Sequence, residues 1–209
     1  KAETLKMQGP VENKSILDDQ NIYSIIGQYK RTYIIVEQEK ELLLVDQHAA
    51  HERILYEQFS EMFKQKKKEQ PQYILPEPTL LTFSLSDSDI LLERLDLFST
   101  LGFSLEHFQK NSFTLAAVPL LFQDRKPEIL IREILDDLRQ EKKPKEIDAV
   151  SHRMISYLAC RGAVKAGDPL SQKQMKELLE KLHQTPNNAT CPHGRPTRVE
   201  ITKEKLDRL

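Results

Sequence analysis

The chain has 209 residues, of which 30% are charged and 39% hydrophobic, and its formal net charge at pH 7 is −1. A chain of this length can hold one medium domain or two small ones, and no apolar run approaches the roughly 20 residues that a membrane-spanning helix needs. The near-neutral charge argues against a stand-alone nucleic-acid binder, and the two cysteines, Cys160 and Cys191, argue against a disulfide-rich secreted domain.

Runs of apolar residues predict short strands that alternate with amphipathic helices. The ordered part of the chain is expected to begin at 23–26. β-branched and aromatic runs between turn residues predict strands at 32–36, 42–45, 73–76, 80–85, 103–108, 112–118 and 198–201. Apolar residues at helical spacing predict helices at 47–63, 87–98, 127–138, 150–166 and 172–182. In the second of these helices, 87–98, Asp87 or Ser88 is the expected N-cap and Gly102 the stop.

Two polar breaks divide this pattern. The basic stretch 64–70 and the charged stretch 142–145 bracket an inserted lobe, 71–146. The flanking parts, 15–70 and 147–209, would form one discontinuous domain, and the polar residues 1–14 are expected to be the disordered end of a linker. We therefore predict a two-lobed α/β (α+β) fold, with a small mixed sheet in the discontinuous lobe. The start Lys1-Ala2-Glu3 has no initiator methionine or signal-peptide pattern, which predicts an excised fragment.

The junction after the second strand carries the first candidate site. Asp46 ends an apolar run and stands where an N-cap is expected, so its carboxylate can accept the amides of the next turn. If the following residues are helical, His48 and Glu52 lie on one face, one turn apart. Two carboxylates, from Asp46 and Glu52, and the imidazole of His48 would then meet at one junction, and these are the groups that a metal site needs. An ordinary capped surface helix is the alternative.

A second candidate element is Cys191-Pro192-His193 near the C-terminus. It places a thiol and an imidazole on a turn that Pro192 and Gly194 constrain, and this pair suits Zn²⁺. Cys160 offers a third soft ligand, although a small buried hydrophobe is the more frequent role of such a cysteine. The combined ligand set exceeds the need of one tetrahedral zinc, which argues for two adjacent metals, or for one tightly bound and one exchangeable metal.

The remaining ionisable residues near the junction are assigned lesser roles. Glu57 is positioned to act as a carboxylate outside the set of metal ligands or as a general base. The alternative is that Glu57 is an ordinary surface glutamate. His51 is turned away from the His48–Glu52 face and is interpreted as peripheral. His107, His152 and His183 are predicted to be surface residues.

Three motifs in the chain resemble those of one protein family. The string Asp46-Gln47-His48-Ala49, then Glu52 and Glu57, is similar to the endonuclease motif of the MutL mismatch-repair family. Ala159-Cys160-Arg161 and Cys191-Pro192-His193-Gly194-Arg195-Pro196 resemble its two later motifs, in family order. The resemblance implies a C-terminal region with a dimerisation lobe and an inserted regulatory lobe. It also implies a metal-dependent endonuclease that nicks duplex DNA.

The same resemblance implies specific site residues and cofactors. The catalytic residues it implies are Asp46, His48, Glu52, Glu57 and Arg161. The metal ligands it implies are Asp46, His48, Glu52, Cys160, Cys191 and His193. Zinc is expected at the site, and Mn²⁺ or Mg²⁺ is expected to support cleavage. The resemblance also implies a cytoplasmic location, in the cytosol or nucleoid of a bacterium.

The expected partners are a second copy of the chain, duplex DNA, the mismatch-recognition protein MutS and a sliding clamp. Family members often bind the clamp through Gln-x-hydrophobic-(Leu/Ile)-x-Pro in the inserted lobe. Here Pro71-Gln72-Tyr73-Ile74-Leu75-Pro76 keeps the apolar centre and the last proline but has Pro71 in the first position.

Two other functions are alternatives to the endonuclease. In a zinc-stabilised dimerisation module the metal would only hold the fold, and such closed sites are usually rich in thiolates. The carboxylates of Asp46, Glu52 and Glu57 favour the nuclease instead. A metallopeptidase is disfavoured because the chain contains no His-Glu-x-x-His run.

Overall fold

A computed structural model describes residues 23–65, 71–139 and 147–208. The chain divides into two compact units, Lys1–Glu57 with Ala163–Leu209, and Gln58–Gly162. The first unit is therefore discontinuous in sequence. The predicted functions of the two lobes remain predictions. The predicted linker at 1–14, residues 66–70 of the predicted break at 64–70, and the predicted break at 142–145 lie outside the described residues.

Four strands form the antiparallel sheet of the first unit. They are β1 (Ser24–Tyr29), β2 (Tyr33–Glu37), β3 (Glu41–Asp46) and β7 (Arg198–Thr202), in the order β1-β2-β3-β7. Because short turns join β1 to β2 and β2 to β3, these neighbours must run antiparallel. β7 also pairs antiparallel with β3, so the mixed strand directions predicted for this sheet are wrong.

Helices α1 (Gln47–Gln65) and α6 (Gln172–Gln184) supply the rest of the first unit's core, and the short helix α7 (Lys203–Leu206) follows β7. Every second side chain of β2 and β3 is buried, as an amphipathic pair of strands requires. The buried cluster consists of Ile34, Val36, Leu43, Val45, Ala50, Ile54, Met175, Leu178, Leu179 and Leu182. Each large aliphatic side chain in it contributes about 1.5–3 kcal/mol by leaving water.

The second unit contains a three-stranded antiparallel sheet, in the order β4-β6-β5. Its strands are β4 (Gln72–Thr82), β5 (Ser104–Gln109) and β6 (Ser112–Pro119), and a 3-10 helix follows at Leu120–Phe122. Its helices are α2 (Leu85–Leu92), α3 (Leu95–Thr100), α4 (Pro127–Arg139) and α5 (Ile147–Gly162). Edge-to-face aromatic pairs such as Phe98–Phe103, with ring centroids 5.5 Å apart, lie in its core.

Most predicted elements are confirmed, including both hairpins, and the α/β class holds. The predicted helix 87–98 is instead two short helices. Its N-cap is Ser84, whose hydroxyl accepts the N–H of Asp87, rather than Asp87 or Ser88. Asp87 is instead ion-paired with Arg139, so its carboxylate is used in tertiary contact.

The end of α5 also differs from the prediction. The helix ends at Gly162 rather than near Ala166. The following amides bond elsewhere: Val164 N–H donates to His51 Nδ1 over 3.0 Å and Gly167 N–H to the Arg31 carbonyl over 2.8 Å. Within the described ranges, none of the helices combines the length and the apolar character needed to cross a membrane.

Candidate metal centre

The first turn of α1 is fixed by Asp46 at the end of β3. Asp46 Oδ1 accepts the N–H groups of His48 and Ala49 over 2.9 and 3.0 Å, which confirms the predicted cap. The Asp46 N–H donates to the Thr197 carbonyl over 2.9 Å. Thr197 lies two residues beyond Arg195, so this bond connects the start of α1 to the Cys191–His193 segment.

Helical periodicity then aligns His48 and Glu52. Each offers a ligand atom, and these two atoms lie within 4.8 Å of each other. The Glu52 carboxylate is buried, with 2% of the residue exposed. A carboxylate in such a place must be compensated by hydrogen bonds or by positive charge. The predicted pairing on one helix face is therefore present in the folded chain.

A tight turn presents Cys191 and His193. The Cys191 N–H donates to the Arg195 carbonyl over 2.7 Å, and the Gly194 N–H donates to the Cys191 carbonyl over 2.9 Å. Gly194 has φ of +81°, which a side chain would strain, so the turn needs glycine there. Cys191 is buried under this turn and His193 is exposed.

Glu52, Cys191 and His193 converge on one point of the first unit. One ligand atom from each lies within 4.8 Å of the others, and His193 Nδ1 is 3.1 Å from Glu52 Oε1. Burial raises the pKa of the Cys191 thiol, and the neighbouring Glu52 carboxylate adds to this. A thiol, an imidazole and a buried carboxylate are the donors that Zn²⁺ takes, and a cation there would favour the thiolate. The donor set therefore fits the implied metal.

Glu57 lies further along α1 and is held by a residue that sequence reasoning missed. Arg53 Nη1 donates to Glu57 Oε1 over 2.8 Å, and Arg53 Nε donates to the Thr190 carbonyl over 2.6 Å. Arg53 thus connects the Glu57 carboxylate to the backbone next to Cys191. Its signal in the sequence was weak, because an arginine four residues before a glutamate is also an ordinary surface pair.

Cys160 and Arg161 lie at the end of α5, in the second unit. Cys160 is half-buried, and neither Cys160 nor Cys191 forms a disulfide. The exposed Arg161 places its guanidinium 5.3 Å from the centroid of the Tyr157 ring. Their assignment to the metal site rests on the sequence and remains a prediction.

The other histidines occupy different environments. His107 and His152 are exposed, as predicted, whereas His183 is half-buried. Burial lowers the pKa of His51 to about 4, and Lys181 lowers it further through its charge. His51 is therefore neutral in the folded chain near neutral pH.

Reasoning from the sequence also missed two glutamines beside the site. Gln47, inside the first motif, is fully buried, and Gln28 of β1 bonds to it. The available signal was a polar residue directly after an apolar strand, where burial demands hydrogen-bond partners.

Comparison of this chain with known proteins identifies its family. The family model described as the MutL C terminal dimerisation domain matches residues 26–170. Proteins named DNA mismatch repair protein MutL are 36% identical in Halothermothrix orenii, over 94% of this chain and 30% of that protein, and 39% identical in Clostridium botulinum, over 94% and 29%. The MutL of Syntrophotalea carbinolica is 35% identical over 88% of this chain and 29% of its own length.

The chain spans less than a third of the length of these relatives. The match of the family model covers more than half of the chain and includes the first motif and both hairpins. The chain therefore belongs to the MutL C-terminal dimerisation domain family.

Proposed function

We propose that this chain is the metal-dependent endonuclease and dimerisation region of a MutL-type DNA mismatch repair protein, and that it nicks duplex DNA. The observation that carries the proposal is the convergence of Glu52, Cys191 and His193, with His48 in the adjacent first turn of α1 and Asp46 capping that turn. A closed structural zinc site has four ligands and is usually thiolate-rich. These five residues offer two carboxylates, two imidazoles and only one thiol.

The ligands divide by their chemistry into two groups. Cys191, His193 and Glu52 would hold Zn²⁺, since thiolate and imidazole favour it. Asp46 and His48, with Glu52 shared, would hold the harder Mn²⁺ or Mg²⁺, and Asp46 Oδ2 is free of the capping role that Oδ1 plays. Bound divalent cations supply Lewis acidity toward a phosphodiester and lower the pKa of a coordinated water.

The protein's own contribution is to fix these groups. Asp46 is held by its cap bonds, and the Arg53 bonds to Glu57 and the Thr190 carbonyl tie α1 to the Cys191 turn. Glu57 is proposed as an outer carboxylate that keeps Arg53 in place. Such outer contacts are worth 10–100-fold in metal affinity or activity in other metal sites, roughly 1.4–2.7 kcal/mol.

The second candidate is a zinc-stabilised dimerisation module without cleavage. The buried thiol of Cys191 favours it, because deeply buried cysteine ligands are typical of structural zinc. The two functions differ in the effect of a second metal: a structural module would bind zinc and gain no activity from Mn²⁺.

A supercoiled plasmid assay tests the proposal. We expect the chain to convert supercoiled plasmid to the nicked form when Mn²⁺ is added, and a chelator to stop it. The rate should be low, because a net charge of −1 provides little attraction for phosphate.

Glu180→Gln is the matched control, since Glu180 is an exposed residue of α6 that pairs with the exposed Lys176 over 3.8 Å. It should nick at the wild-type rate. Zinc-loaded protein that shows no Mn²⁺-dependent nicking at low salt would instead support the structural module.

The proposal includes a homodimer, and the second face of the first unit's sheet supports it. One face is covered by α1 and α6, whereas the other is apolar and is not covered by the described residues of the first unit. Tyr29 and Val199 are each 54% exposed. The side chains on or beside this face are Ile26, Tyr29, Tyr33, Ile35, Leu42, Leu44, Val199 and Ile201. A contiguous patch of this kind suits a symmetric interface between two copies.

Charging this face should separate the copies. We expect Val199→Lys to raise the dimer dissociation constant at least about 30-fold, as loss of a central hot spot of about 2 kcal/mol would. Light scattering should then give the single-chain mass of 24.3 kDa, against twice that mass for wild type. Leu85→Lys, at an exposed leucine of α2, controls for added charge and should stay dimeric. A wild-type chain that is monomeric at micromolar concentration contradicts the homodimer.

Further partners follow from the proposed role. The relatives are named as mismatch repair proteins, and MutS is proposed as the partner that brings this chain to a mismatch. The stretch 72–76 lies in β4, an outer strand of its sheet, and Ile74 is 75% exposed. This exposure supports a sliding clamp as a partner despite Pro71 in the first position of the motif.

A further inference from the structure

Gln28 and Gln47 form a pair of hydrogen-bonded amide side chains beside the candidate metal centre. Gln47 Nε2 donates to three backbone carbonyls, those of Arg31, Lys165 and Asp168, over 2.9, 2.7 and 3.1 Å. Gln28 Nε2 donates to Gln47 Oε1, and Gln28 Oε1 accepts the Leu170 N–H over 3.0 Å. We call this pair the glutamine clamp. It joins the 164–170 segment to the hairpin of β1 and β2 and to the start of α1.

The segment that the clamp holds contacts two histidines of α1 through a single residue. The Val164 carbonyl is 2.8 Å from His48 Nδ1. The Val164 N–H donates to His51 Nδ1 over 3.0 Å. One residue of the clamped segment therefore faces both imidazole rings with groups of opposite hydrogen-bonding character.

These contacts determine where each ring carries its proton. A carbonyl can only accept, so His48 Nδ1 must be protonated and the lone pair of the neutral ring lies on Nε2. An N–H group can only donate, so His51 Nδ1 must carry the lone pair and its proton lies on Nε2. The two histidines, one turn apart on α1, thus have opposite tautomers.

We propose that Gln47, supported by Gln28, is a positioning residue that fixes His48 as an Nε2 metal ligand. The clamp holds the 164–170 backbone, and the Val164 carbonyl then selects the His48 tautomer and ring orientation. Backbone carbonyls that accept the second N–H of a ligand histidine act in this way in metal sites. The inference rests on the proposed function for the metal, whereas the tautomers themselves depend only on the chain.

Removing the amide of Gln47 breaks this arrangement at a defined place. Gln47→Met keeps the length of the side chain but leaves three carbonyls without their shared donor. The Lys165 carbonyl would keep the Asp168 N–H at 3.2 Å and the Asp168 carbonyl would keep Gln28 Nε2 at 3.1 Å, but the 164–170 segment would lose its bonds to the start of α1 and would be held less tightly there. His48 Nδ1 would then lose its acceptor, and its ring would populate both tautomers.

The experiment is a two-dimensional ¹H–¹⁵N measurement of histidine ring nitrogens in the metal-free chain at about pH 8, where ordinary imidazoles are neutral. In wild type, we expect His48 to show the Nδ1–H pattern and His51 the Nε2–H pattern. In Gln47→Met, we expect His48 to show averaged nitrogen shifts. We also expect Mn²⁺ affinity to fall about 10–100-fold.

Gln174→Met is the matched control. Gln174 is also a hydrogen-bonded glutamine of the first unit, but its carbonyl oxygen accepts from Ser171 N–H and hydroxyl in the capping box of α6. It should lower stability without changing either tautomer. If Gln47→Met fails to fold, Gln28→Met serves in its place, because Gln28 is only half-buried and contributes the outer part of the clamp.

Two results would overturn the proposal. The first is a wild-type His48 that does not carry its proton on Nδ1. The second is a folded clamp variant, Gln47→Met or Gln28→Met, that keeps the wild-type His48 pattern and Mn²⁺ affinity. A wild-type chain with the expected tautomers but no Mn²⁺-dependent nicking would refute the proposed endonuclease and leave the clamp's effect on His48 intact.

Discussion

Asp46→Asn should abolish nicking while the fold and the dimer persist. Asparagine caps a helix about as well as aspartate, so the bonds to the His48 and Ala49 amides can be kept and stability should change by well under ~1 kcal/mol. The substitution removes the negative charge that would bind a divalent cation. We expect the nicking rate to fall at least about 100-fold, which corresponds to roughly 2.7 kcal/mol in the activation barrier.

The measurement is plasmid nicking with Mn²⁺ under conditions where wild-type protein converts the whole substrate. Circular dichroism melting and light scattering report the fold and the dimer. Ser171→Ala is the control, because it removes the cap of α6 in the same unit and should lower stability without loss of nicking. Near wild-type nicking by Asp46→Asn would leave Asp46 with the capping role alone.

Cys191→Ser and His193→Ala should each remove zinc from the purified chain. The Cys191 thiol is buried beside Glu52, and without it the site keeps one imidazole and one carboxylate, which bind zinc far less tightly. We expect the zinc content, measured by elemental analysis, to fall from about one zinc per chain to a small fraction of that. The unfolding temperature should fall too, because a bound metal stabilises the folded state by mass action.

The two substitutions separate the metal from simple packing. Cys191→Ser changes a buried residue, so its destabilisation alone would not identify a ligand. His193 is exposed, and its removal costs little packing. Zinc that is lost from His193→Ala therefore reports on coordination. His107→Ala, at an exposed histidine of the second unit, should keep its zinc. Unchanged zinc in either site variant would refute this ligand assignment.

Local sequence patterns were enough to determine the elements on which the site depends. The apolar run before Asp46 predicts β3, and the polar junction after it predicts the cap that the bonds to His48 and Ala49 confirm. Helical periodicity alone places His48 and Glu52 one turn apart. These features follow from residues within a turn or two of each other, so they can be inferred from the string of residues.

Only the tertiary structure decided which distant groups meet. The approach of Cys191 and His193 to Glu52 depends on β7 pairing with β3, and no local pattern specifies that pairing. The end of α5 at Gly162 depends on the bonds that the Val164 and Gly167 amides make elsewhere. The burial of Gln47 depends on its bonds to the carbonyls of Lys165 and Asp168. A short apolar or polar pattern reports whether a residue prefers burial, whereas its hydrogen-bond partner across the fold is set by how the packed elements align.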